Sequence, residues 1–161
     1  SSTAQNYEQL SAGGVASQWR GQHQQIIGNA VATRTLLAKE AGSRLLFDLA
    51  AGVVYTLPTP VIGMRFQFFS TVTITSNAAK IITDAATTFL LGEVFTYTTA
   101  TASGAGFAFN GSTHVAASMN RTTSGGIIGT LINVVALSST VWMIDGLIVG
   151  SGTIITPAAT S

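Results

Sequence analysis

The chain has 161 residues and no cysteine, with seven Lys and Arg against six Asp and Glu for a net charge of +1. One domain's worth of sequence without thiols excludes a disulfide framework and any thiolate metal site, and fits assembly in a reducing cytoplasm. Only 8% of residues are charged, against about 25% in ordinary domains. A monomer of this mass exposes roughly 7,600 Å², so the charges are spread at about one per 600 Å². Ser and Thr, about a quarter of the chain, wet part of that surface, and burial against other subunits is expected to hide the rest.

Residues 1–29 are read as an N-terminal arm, distinct from a β-rich domain over 30–161. Gln, Ser, Ala and Gly dominate the arm, and no basic or apolar leader pattern opens it. A small first residue fits removal of an initiator Met, so a whole gene product is expected. Trp19, Arg20, Ile26 and Ile27 are the candidate contacts of this arm with a shell or a neighbouring subunit, since Trp and Arg are enriched at binding hot spots.

Val31–Leu36 is expected as the first strand of the domain, followed by one helical turn over Leu37–Gly42 closed by its glycine. Leu45–Phe47 and Val53–Leu57 read as a hairpin around an Asp48-led turn, with Gly52 free to take positive φ. Pro58 and Pro60 stop it. Met64–Phe69 alternates polar Arg65 and Gln67 with apolar Met64, Phe66 and Phe68, the pattern of a half-buried strand. Val72–Thr75 continues that alternation.

Lys80–Thr83, Phe89–Gly92 and Glu93–Tyr97 are further strands, and Thr98–Gly106 is a loop. Asn110-Gly111 predicts a tight hairpin between Phe107–Phe109 and His114–Met119, and Asp145-Gly146 a second between Thr140–Ile144 and Leu147–Val149. Ile127–Leu137 is the most apolar window, yet Gly129, Thr130 and Asn133 interrupt it. It is also shorter than the roughly 20 residues of a spanning helix, so no membrane role is expected. About ten short strands at this spacing predict an all-β fold, a single β-sandwich or barrel-like domain of short antiparallel strands.

Chemistry is hard to place. His23 and His114 have no acidic partner at a ligand spacing and are expected as unpaired surface residues. Gly150-Ser151-Gly152 is not a nucleophile elbow, and Gly125-Gly126 does not open a helix. The five Arg and two Lys form no basic stripe, so no nucleic-acid partner is expected. Neither cofactor nor catalytic residue is assigned. Phe66, Phe68 and Trp142 are expected in the core, while Tyr97, Phe107 and Phe109 are the candidates for a sugar platform.

The run Leu46–Pro60 (LFDLAAGVVYTLPTP) resembles a module common in structural proteins of tailed bacteriophages. Val72–Asn77, Ile82–Ala85, Asn120–Gly126 and Ser138–Trp142 are similar to its continuation, so the likeness covers about residues 31–161 and leaves the arm outside it. The resemblance implies a capsid decoration (cement) protein on the outer face of the virion head, β-rich and homotrimeric. Its partners would be the major capsid protein and itself, and it would have no active site. The alternative is a head-fibre or tail-fibre module that recognises host glycans through loops such as Thr98–Gly106.

Overall fold

A computed structural model describes residues 23–28, 31–76 and 79–161. The fold is all-β, built as two mixed sheets. The strands in chain order are β1 (Ile26–Ile27), β2 (Thr33–Thr35), β3 (Arg44–Phe47), β4 (Val54–Thr56), β5 (Arg65–Ser70) and β6 (Ala79–Ile82). Then follow β7 (Phe89–Thr98), β8 (Gly104–Asn110), β9 (Ala116–Met119), β10 (Leu131–Ala136), β11 (Val141–Gly150) and β12 (Ala158–Ala159). A single 3-10 turn over Ala38–Glu40 sits where the helical turn was expected, and Gly42 follows it at φ 88°.

The seven-stranded sheet runs β1-β3-β5-β10-β11-β7-β8 and the five-stranded sheet β12-β9-β6-β4-β2. The first six strands alternate between them. Each pair of crossings therefore adds one strand to each sheet, parallel to the one laid down before it: β1, β3, β5 in one and β2, β4, β6 in the other. This overturns the expectation of purely antiparallel pairing. β11 is also parallel to β7 over its whole length, from Val141 opposite Phe89 to Gly150 opposite Thr98.

The expected hairpin over residues 45–57 is overturned by the same alternation. β3 lies in the larger sheet and β4 in the smaller, and the Asp48–Gly52 link carries the chain between them. Gly52 does take positive φ, 91°, and its N–H donates to the Leu49 oxygen. Asn110-Gly111 likewise joins strands of different sheets. The Asn110 Oδ1 accepts from the backbone N–H groups of Ser112, Thr113 and His114, which turns the chain sharply without pairing its arms.

Asp145-Gly146 makes no turn at all, because β11 passes straight through it. Gly146 is needed for close approach: a Cβ there would stand 2.3 Å from the Leu131 oxygen of the neighbouring strand. Two hairpins do form among the described residues: β7 to β8, antiparallel from Leu91–Asn110 to Tyr97–Gly104, and β10 to β11, antiparallel from Leu131–Leu147 to Ala136–Trp142. Val72–Thr75 forms no strand, although Ile74 is fully buried.

One core fills the space between the sheets. Tyr55 from the smaller sheet meets Phe47 and Phe68 of the larger, each with ring centroids 5.3 Å apart. Phe66 and Trp142 continue the cluster at 6.1 Å. All five side chains are fully buried, as the alternation in residues 64–69 requires of Phe66 and Phe68. Each contributes about 1.5–3 kcal/mol by burial.

Candidate functional site

A strand sends successive side chains to opposite faces, so the residues that do not enter the core form rows on the outside of each sheet. The two outer faces differ in kind. On the five-stranded sheet the registers align Thr33, Val54, Lys80 and Ser118 in one row and Thr35, Thr56, Ile82 and Ala116 in the next. Four hydroxyls and the Lys80 ammonium make up five of these eight residues; Val54 and Ile82 are half-buried and Ala116 is fully buried.

The seven-stranded sheet carries an apolar row on its outside: Leu46, Phe69, Leu131, Leu147 and Phe95, neighbours in that order across five strands. Phe95 is 48% exposed and Leu147 44%, large values for groups pointing away from the core between the sheets. Beside this row runs a polar one, Arg44, Gln67, Asn133, Asp145 and Glu93. Beyond that lies Arg65, Val135, Met143 and Leu91, again mostly apolar.

The rows are locally supported. Gly104 on the edge strand β8 leaves room for the Phe95 ring, since a Cβ there would meet its Cζ at 2.5 Å. Gln67 Oε1 accepts from the Arg44 guanidinium at 3.0 Å and from Gln24 Nε2 at 2.6 Å. Asp145 and Glu93 stand directly opposite each other on β11 and β7, a like-charge pairing that costs stability on an isolated sheet. Asn133 Oδ1 and Arg44 Nε are buried with no hydrogen-bond partner.

Of the contact residues chosen from sequence, Ile26 and Ile27 form β1, the edge strand beside β3, held further by the Arg44 N–H donating to the Gln25 oxygen at 2.8 Å. Ile26 is exposed and shares the side of Arg44, while Ile27 is half-buried against the core. Trp19 and Arg20 lie outside the described residues. His114 is not the unpaired histidine expected: its Nδ1 accepts from the Asn110 N–H at 3.1 Å, and its ring stands edge-on to Phe109.

The proposed sugar platform divides. Phe109 is buried, Phe107 packs against the core, and Tyr97 is half-buried on the outer face. The Thr98–Gly106 stretch does border a cleft of about 400 Å³, shared with Thr153 and Ile154. Its hydroxyls are already engaged, Thr101 with Ser103 at 2.8 Å and Thr98 Oγ1 with the Ala100 N–H. Among the described residues no three His, Asp or Glu converge as metal ligands, and no helix is long and apolar enough to cross a membrane.

The outer rows were missed because they are a property of register. Leu91, Glu93, Phe95 and Tyr97 show the right alternation, but only pairing with β11 puts Phe95 beside Leu147 and Glu93 beside Asp145. No family model, curated protein or solved structure matches this chain.

Proposed function

We propose that this protein is a structural component of a phage virion, a capsid decoration (cement) protein that binds the outer surface of the mature head. It would bridge neighbouring major capsid subunits and carry no catalytic role. Its two sheets would form a β-sandwich with the Thr- and Ser-rich sheet toward water and the seven-stranded sheet toward protein neighbours. The supporting observation is the contrast between the two outer faces, one richer in Thr and Ser hydroxyls and one carrying the exposed Leu46–Phe95 row.

The mechanism is linkage. A protein that binds only the assembled, expanded shell shifts the equilibrium away from rupture, and many equivalent contacts add through effective concentration. Trp19, Arg20, Ile26 and Ile27 are the proposed contacts of the arm with the shell or a neighbouring subunit.

The test is to add purified protein to expanded, undecorated heads, then count copies per particle and measure the temperature of rupture. Hundreds of copies and a higher rupture temperature support the reading. A dozen copies or fewer, or no change in rupture, overturn it. The second reading, a fibre module that recognises host glycans, is favoured by the cleft beside Thr98 and Ser103, and would show itself as binding to host cell-wall sugars.

A further inference from the structure

We infer that the outer face of the seven-stranded sheet is an interface between two copies of this chain, paired about a two-fold axis that runs along β10. The inference rests on reading that face as a protein contact surface, and it names the occupant.

Opposite charges lie symmetrically about one strand of this face. In the order β3-β5-β10-β11-β7, β10 is the middle strand. Arg44 lies two strands to one side of it and Glu93 two strands to the other, in the same row. Neighbouring strands are about 4.8 Å apart, so each charge sits roughly 10 Å from β10. A two-fold parallel to the strands keeps the rows in register and exchanges left for right. It sets Arg44 of one copy against Glu93 of the other, Gln67 against Asp145, and Asn133 against its own counterpart. The adjoining row sets Leu46 against Phe95 and Phe69 against Leu147.

The alternative two-fold, across the strands, would oppose Arg44 to Arg44 and Glu93 to Glu93, so charge chooses between them. Pairing also eases the Asp145–Glu93 repulsion, because it brings the other copy's Arg44 guanidinium against Glu93, whereas the Arg44 of the same face stands four strands away.

Area is sufficient. Five strands at about 4.8 Å and three to four rows at about 6.7 Å cover roughly 24 by 20 Å, so two faces bury on the order of 1,000 Å² together, the lower bound for a specific interface. One apolar row and one that is apolar except for Arg65, which would face Met143 of the other copy, flank the charged row; in such contacts apolar groups give affinity and charges fix register.

A charge-swap series tests this, read by sedimentation of the full chain at about 1–100 µM. The wild type is expected to be a dimer. Arg44→Glu and Glu93→Arg should each weaken it at least tenfold, since each creates two like-charge contacts per dimer. The double variant, with both contacts reversed, should recover most of that loss. Because Arg44 also bonds Gln67 within its own chain, each variant's melting is followed at a concentration where the wild type is monomeric, to separate folding from pairing.

Asn133→Cys gives an independent readout. It sits on the axis in a chain without other cysteines, and a short bismaleimide should link two copies efficiently, whereas Thr33→Cys on the other sheet should not. A monomer throughout, a trimer, or a double variant weaker than either single one overturns the pairing. So does a monomeric protein whose binding to undecorated heads is lost with Glu93→Arg, which would give the face to the capsid subunit. The same heads separate the two readings: a monomer that decorates them fails only the pairing, and a dimer that ignores them fails only the shell role.

Discussion

The Tyr55 hydroxyl donates to the Leu46 carbonyl oxygen at 2.5 Å, tying the five-stranded sheet to the seven-stranded one at the centre of their shared core. Leu46 turns its side chain outward into the apolar row, so one residue links the core to the outer face. Burial first, and then the negative charge of Asp48, hold the Tyr55 phenol above its ordinary range. A raised folded-state pKa favours the neutral phenol, so its stabilisation is complete below the unfolded value of about 10 and is lost as pH rises beyond it. Tyr55→Phe should cost about 1 kcal/mol at pH 7 through the lost hydrogen bond. It should also flatten the decline of stability above pH ~10. Urea unfolding at a series of alkaline pH values checks both, and a variant as alkali-sensitive as the wild type would clear Tyr55 of the effect.

Two glycines separate close approach from backbone conformation. A Cβ on Gly92 would stand 2.1 Å from the Ile144 oxygen, whereas one on Gly129 meets nothing within 4 Å. Both have positive φ, 141° and 95°. Gly129→Ala should therefore cost only the conformational penalty, about 1–2 kcal/mol. Gly92→Ala must also push β7 away from β11 and should exceed that by a further 1–3 kcal/mol or so. Thermal melting of the two variants side by side decides it, and equal losses would mean that the strands give way easily.

How much of this was legible beforehand follows from what local pattern encodes. Phe66 and Phe68 inside, with Arg65 and Gln67 outside, came from alternation alone, because period-two burial is local. All-β character came from the same source. Partner choice did not. Leu45–Phe47 and Val53–Leu57 have the look of a hairpin, yet each finds its partner more than twenty residues further on, Leu45 with Phe68 and Tyr55 with Ile81. A turn sequence bends the chain equally well between sheets as within one. Gly146 misled for a related reason: a glycine chosen to admit a neighbouring backbone looks identical to one chosen for a turn. The candidate face was least legible, since its rows exist only once five strands from distant parts of the chain stand side by side.

Asn110 and Asn120 use one device at two corners. Each side-chain oxygen accepts from backbone N–H groups three and four residues ahead, Thr113 and His114 for the first, Thr123 and Ser124 for the second. Each amide also donates to a threonine hydroxyl, at 2.7 Å to Thr113 and 2.6 Å to Thr123. The first corner is exposed and the second partly buried, so water replaces the lost bonds more completely at the first. Asn110→Ala should cost about 1 kcal/mol and Asn120→Ala about 2–3 kcal/mol. Asp at either position keeps the acceptor and should recover most of the loss. Denaturant midpoints for the four variants give the ordering, and a larger loss at Asn110 would contradict it.

Glu40 closes the 3-10 turn with both of its oxygens. Oε2 accepts from the Leu37 N–H at 2.8 Å, the reach-back half of a capping box, while Oε1 pairs with the Arg34 guanidinium on β2. The pair is largely shielded, with side-chain exposures of 27% for Arg34 and 12% for Glu40, so it is worth more than the near-zero of a surface ion pair. β2 is an edge strand of the smaller sheet and, among the described residues, pairs with β4 alone, so this carboxylate ties the strand to the turn that follows it. Glu40→Ala should cost about 1–2 kcal/mol, and Glu40→Gln, which keeps the Leu37 contact, roughly half as much. Hydrogen exchange should show the loss concentrated at the Leu36 amide, which donates to the Thr56 oxygen. Uniform deprotection across both sheets would instead mean that the edge does not open on its own.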